Sequence, residues 1–152
     1  MINKELAAFL EEGIGIQIGT RNERLEPNGA RVAAVRIEDE GRQIVAFVPA
    51  RAAGQVMPDL ESNGQAALVF ARPPDERSCQ VKGTFVRMDT PSAADEQFVR
   101  DQWRRWLERL AMIGLPLTML QGWDAWPCVA IRIRVNALFN QTPGPNAGAA
   151  LT

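Results

Sequence analysis

A chain of 152 residues, 46% apolar and 23% charged, has the material for one hydrophobic core and the surface of an ordinary globular protein, so a single domain over 1–152 is expected. Seventeen Lys and Arg stand against eighteen Asp and Glu, and a net charge of −1 offers no field for a nucleic-acid partner. Histidine and tyrosine are absent, which removes the commonest general base, the commonest metal ligand and the serine-type triad together.

In chain order, Asn3 is a predicted N-cap for a short helix over 4–12, with Leu6, Phe9 and Leu10 on one face and Gly13 as its stop. The run from Ile14 to Thr20 alternates and reads as a strand. Glycines at 13, 15 and 19 strip one of its faces of bulk, which fits either a tight barrel corner or a backbone laid against a flat ligand. A polar turn region, Arg21–Gly29, precedes a second strand, Arg31–Ile37. Asp39-Glu40-Gly41 reads as a hairpin turn into a third strand, Gln43–Val48, closed by Pro49. Residues 52–62 carry Gly54 and Pro58, so two broken helical turns are expected there.

The stretch 65–89 reads as a long hairpin. Ala66–Phe70 is its first arm, and Arg72–Arg77, with two prolines, is a turn that cannot lie inside a sheet. Cys79–Met88 alternates as the second arm, and Gly83 within it marks a bulge, a sharp bend or a close approach. Ser92 with Asp95 three residues on opens a long helix, Ala93–Ala111. Val99, Trp103, Trp106, Leu107 and Leu110 form its apolar stripe, for core packing or a dimer face, and Arg100, Arg104, Arg105 and Arg109 cover the other side. A loop over 115–126 leads to a sixth strand, Val129–Val135, that runs on through Phe139. The turn formers of 140–148 are either a frayed tail or an ordered loop near a site.

Hairpins dominate this order, so the expected architecture is α+β: a six-stranded, mainly antiparallel β-barrel with helices. The two cysteines, Cys79 and Cys128, match no metal spacing and read as reduced, buried hydrophobes. No apolar run approaches 18 residues and 1–12 lack a signal-peptide core, so no membrane partner and a cytoplasmic location are expected. No dinucleotide, P-loop, zinc-protease, paired-cysteine or nucleophile-elbow motif occurs.

An ordered set of features covers most of the chain, roughly 14–141: the strand ending in Thr20, Pro27-Asn28-Gly29, the Arg31–Arg36 strand, Asp39-Glu40-Gly41, the run Asp59–Leu68, and Arg77–Gly83. This set resembles the pyridoxamine 5′-phosphate oxidase-like family, and Phe139–Gly148 resembles a branch of flavin-binding members. The resemblance implies a split β-barrel, a homodimer and FMN held between subunits. Matched position by position, it implies cofactor contacts from Arg31 and Arg36 on one strand, from Phe47 and Val48 on the next, from Arg51 after it, from Ser78, and from Asn140 and Gln141. Lys82 joins Arg31 and Arg51 as a candidate phosphate cation, and Val35, Phe47 and the glycine-rich first strand as the surface for the flavin ring. The family's hydroxyl after Phe47, its Ser-Arg-Lys turn and its terminal Arg-His segment are missing, which argues against pyridoxamine phosphate as substrate. The expected activity is an FMN-dependent oxidoreductase acting on a small-molecule substrate or electron donor. The alternatives are a flavin carrier or sensor without turnover, or a barrel for haem or a deazaflavin.

Overall fold

The computed structural model describes residues 1–120 and 122–151. Its elements are α1 (Lys4–Leu10), β1 (Gly15–Arg21), β2 (Pro27–Val32), β3 (Ala34–Glu38), β4 (Gln43–Pro49), α2 (Ala50–Ala53), α3 (Met57–Asn63), β5 (Gln65–Ala71), β6 (Ser78–Asp89), α4 (Ala93–Met112), α5 (Leu117–Leu120) and β7 (Cys128–Asn140). All seven strands join one antiparallel sheet in the order β2-β1-β5-β6-β7-β4-β3. The outermost strands, β2 and β3, are consecutive in sequence, so the sheet is curled until its two ends meet at one point of the chain.

The strand count corrects the expectation of six. The single strand read over Arg31–Ile37 is two, divided at Ala33, and the polar turn before it is shorter because β2 begins at Pro27. The cause is a change of neighbour. Val32 still pairs with Ile16 of β1, whereas the Ala33 N–H donates to the Phe47 carbonyl of β4 at 2.8 Å. One extended run therefore serves both edges of the split barrel.

Inward positions fill the barrel with Ile16, Ile18, Val35, Ile44, Val48, Leu68, Phe70, Ile131 and Ile133, and α1 caps it with Phe9 and Leu10. Asn3 caps α1 as its sequence suggests, accepting from the Leu6 N–H at 2.8 Å. The long helix α4 carries the capping box of Ser92 and Asp95. Its stripe is core packing: Val99, Trp103, Trp106 and Leu110 are buried with Ala34, Phe47 and Ala130 on the outward side of β3, β4 and β7. The broken helix appears as α2 and α3. The segment after β7 is ordered, turning back so that Gly148 N–H donates to Asn140 O at 2.7 Å and Asn140 N–H to Ala149 O at 2.8 Å.

Gly83 is the bend that lets β6 serve both halves of the sheet. The β6–β7 register shifts between Lys82 and Gly83 and again between Phe85 and Arg87. A Cβ at Gly83 would stand 2.5 Å from the Arg134 carbonyl oxygen and closer still to Ile133 Cγ2. Gly83→Ala is therefore expected to destabilise the fold by about 1–3 kcal/mol, the usual cost of overpacking. Urea denaturation checks this, and an unchanged midpoint would show that the two strands separate without cost.

Candidate functional site

Beyond the reach of α4, which covers the start of β7 and touches Arg31 of β2 and Gly15 of β1 through Trp106, the outward side of β1, β5, β6 and the end of β7 is left open, and its residues fall in rows set by the strand register. One row runs Gly29–Gly19–Ala67–Lys82–Ala137 across five strands. Apart from Lys82 nothing in it is larger than a methyl group, and at the usual strand spacing it spans about 19 Å. The row on one side is Arg31–Gln17–Val69–Gln80–Phe139. On the other lie Arg21, Gln65, Thr84 and Arg134. Bulk on both flanks and none between makes a trough. A pocket of about 690 Å³ occupies it, with Gly19, Ala67, Lys82, Gly83 and Ala137 in its lining, a volume suited to a cofactor-sized ligand.

The charges on this side are sorted. The three trough rows carry Arg21, Arg31, Lys82 and Arg134 and no carboxylate, and Asp89, outward at the far end of β6, is paired with Arg87 and Arg132. Among the described residues these four cations form no ion pair, although fourteen ion-pair contacts bind others elsewhere. Arg21 donates only to neutral oxygens, Gln65 Oε1 at 3.0 Å and Asn22 O at 3.2 Å. The Arg31 guanidinium lies 4.5 Å from the Trp106 ring centre, and burial pulls its pKa below the ordinary value. Lys82 Nζ lies 5.2 Å from the Phe139 ring. A flat surface ringed by unpaired cations suits a planar anion: the small row takes a ring, and a phosphate finds guanidinium or ammonium donors.

The residues expected to bind the cofactor are spread over the molecule. Lys82 lines the trough, and Arg31 stands on its flanking row. Val35 and Val48 point into the barrel and Phe47 lies beneath α4, all fully buried, so in this structure none offers a side-chain surface to a ligand. Arg36 is engaged with α4, donating to Asp95 Oδ1 at 2.7 Å with its guanidinium 4.5 Å from the Phe98 ring. Arg51 is exposed on α2, outside the trough lining. Ser78, Asn140 and Gln141 do meet at one end of the β6–β7 ladder. The Gln141 N–H donates to Ser78 O at 2.9 Å, Ser78 N–H to Thr142 Oγ1 at 3.0 Å, and Asn140 Nδ2 to Asn146 O at 3.1 Å. Their polar groups hold the C-terminal turn in place.

Arg21, Arg134, Ala67 and Ala137 are trough residues that the sequence reading did not single out. Each sits at an outward position of a strand, but the register that aligns them comes from strands far apart in sequence. Asp59 was also missed. Its buried carboxylate accepts from Thr20 Oγ1 at 2.7 Å and Asn28 Nδ2 at 2.9 Å, pinning α3 to the β1–β2 end of the trough floor. Both thiols are buried and free, and burial pushes Cys79 up to about 11 and Cys128 to about 12, which keeps them protonated and poor metal ligands. Among the described residues no cluster could hold a metal ion, and no helix is long and apolar enough to cross a membrane.

No family model and no curated protein matches the sequence. Solved structures do match the fold. HupZ of Group A Streptococcus is similar with a TM-score of 0.58 and 19% identity over 97% of this chain and 100% of that one. An F420 reductase gives 0.58 and 17% over 86% and 93%. An FMN-binding protein from Syntrophomonas wolfei subsp. wolfei gives 0.55 and 11% over 90% and 86%. The fold is that of the pyridoxamine 5′-phosphate oxidase-like split barrels, with seven strands in this chain.

Beside the trough, Val35 lies on the outer edge of β3, where no strand pairs with it. Gln102 of α4, 1% exposed, takes the strand's place: Val35 N–H donates to its Oε1 at 3.1 Å and its Nε2 donates to Val35 O at 2.8 Å. Gln102→Leu would leave two backbone groups buried without partners, at about 1–3 kcal/mol each. The expected outcome is a lower melting temperature with faster amide exchange at Val35. Exchange at Val35 as slow as in the parent would mean that another group takes over the edge.

Proposed function

We propose that the protein binds FMN in the trough and works as a flavin-dependent oxidoreductase in the cytoplasm, as a homodimer whose two sheet sides enclose the cofactor. The observation that carries this reading is the coincidence of a row of glycine and alanine with four unpaired cations and no carboxylate. The fold shared with an FMN-binding protein and an F420 reductase supports it. A bound flavin would supply the redox chemistry, as cofactors of this kind do. The chain's part is binding and tuning. Gly19, Ala67 and Ala137 admit the ring to the strand surface, Lys82 and Arg21 are donors for the phosphate, and a cation beside the ring favours its reduced, anionic form. A haem would find neither histidine nor tyrosine to ligate its iron.

A second reading is a flavin carrier or sensor without turnover. The trough's outward rows contain no carboxylate, histidine, tyrosine or cysteine, which leaves Lys82 as their one amine. The absorbance spectrum of the purified protein tests flavin binding. Bleaching by NADH or NADPH followed by reoxidation in air separates turnover from carriage. A monomer by light scattering at micromolar concentration with flavin bound would overturn the enclosed dimer site.

Lys82→Ala and Arg51→Ala place the phosphate. A charge-assisted contact is worth about 1.5–3 kcal/mol, or about a ten- to hundredfold loss in affinity. Fluorescence titration is expected to show that loss for FMN but not riboflavin in Lys82→Ala. The same selective loss in Arg51→Ala alone would move the phosphate to the β4–α2 end. Equal weakening of both flavins by Lys82→Ala would make Lys82 a support of the fold instead.

A further inference from the structure

Residues 112–123, between the end of α4 and the approach to β7, contain no charged residue. Twelve large apolar side chains are exposed among the described residues, and six of them fall here: Met112, Ile113, Leu115, Leu117, Met119 and Trp123, at 37–73% exposure. Six side chains about half exposed leave on the order of 600 Å² of apolar surface, at the upper end of what one patch on a monomer shows. That is near one partner's share, about 800 Å², of a standard interface.

The described residues of the segment, all but 121, are held by several contacts. Leu120 is buried, Leu115 N–H donates to Leu110 O at 3.1 Å, and Trp103 Nε1 donates to Trp123 O at 2.7 Å. The exposed Trp123 of this patch, with Trp103 and Leu107, walls a pocket of about 410 Å³ whose rim carries Arg100, Arg104 and Asp124. The pocket and the exposed Leu117 and Met119 thus belong to one patch, which is what a twofold contact between identical surfaces requires.

Charge points to the same occupant. Arg100 pairs with Glu96 at 2.8 Å and with Asp124 at 3.2 Å, and Arg104 with Asp101 at 3.5 Å. Arg105 donates to the Glu12 and Glu11 carbonyls, and Arg109 to those of Glu12 and Gly13. All four arginines of α4 are occupied, leaving none for lipid headgroups, and the rim is neutral enough for two copies to meet without repulsion.

We propose that this patch is an isologous contact with a second copy of the chain, separate from the sheet side that holds the cofactor. None of its residues belongs to the trough rows. Two different isologous surfaces on one chain build a dimer of dimers with D2 symmetry. The four-copy assembly rests on the enclosed dimer proposed above, and the patch itself does not.

The test is sedimentation of the full chain against Leu117→Glu/Met119→Glu, two changes at exposed positions expected to leave the melting temperature in place. The parent is expected as four copies and the variant as two that keep the flavin spectrum. A parent of two copies and a variant monomer that still binds flavin would sustain the patch and overturn the sheet-side dimer. Equal masses for parent and variant would overturn the patch. So would co-sedimentation with phosphatidylcholine vesicles by the parent but not the variant, which would give the surface to lipid.

Discussion

Two hydrogen bonds between one buried side chain and one residue's backbone hold the place where the sheet runs out of strands. Gln102 meets both polar groups of Val35 at the outer edge of β3. Without a partner there, a buried edge would carry open donors and acceptors, which a folded protein does not tolerate. The amide fixes how α4 lies on the barrel. That placement puts Trp106 under Arg31, Asp95 against Arg36, and Phe98 over Phe47. The helix therefore covers the outward side of β3 and β4 and leaves that of β1, β5 and β6 open. The position of the candidate site is a consequence of how the seam is closed.

The same division governs charge. On and around α4 the arginines are engaged by carboxylates or by carbonyls at the end of α1. At the far end of the sheet, Arg132 is gripped by Asp89 and Glu38. Such pairs fix geometry more than they add stability, since exposed ion pairs contribute little. The cations of the trough have no such duty. A near-neutral chain that keeps carboxylates out of the trough rows creates a local field that its net charge conceals.

Most elements could be read from the sequence because their signals are local. The caps at Asn3 and Ser92, the prolines of 73–74 and the alternation of β1 and β6 all act within a few residues. The break at Ala33 could not be read, because nothing in Arg31–Ile37 says that its neighbours change midway. Gly83 was visible as an oddity, and its reason, the Arg134 backbone and Ile133, lies fifty residues away. The site divides similarly. Arg31 was reached through a family pattern, and Lys82 as a cation that a phosphate would need. Phe47 fell under a helix whose docking the pattern does not encode, and Arg21 and Arg134 come into range only through the ladder. The glycines at 15 and 19 were left between a barrel corner and a flat surface for a ligand. Gly19 lies in the trough floor and Gly15 beside Trp106 Nε1, so one strand meets both demands.

Placing α4 between β6 and β7 also bears on how the chain acquires its shape. Three of the six ladders, β1–β2, β3–β4 and β5–β6, close over short turns. The other three are non-local: β1–β5 closes residues 22–64 into a loop, β4–β7 closes 50–127, and β6–β7, the longest ladder, closes 90–127. Non-local pairing of this kind slows folding, because the entropy of closure is spent before contacts return it. Yet that entropy grows only as the logarithm of loop length. While α4 itself is held by Gln102 and its buried tryptophans, the apolar segment between α4 and β7 can therefore lengthen, shorten or be rebuilt with little effect on the ladder. It is the part of this fold where evolution is freest to write a new surface.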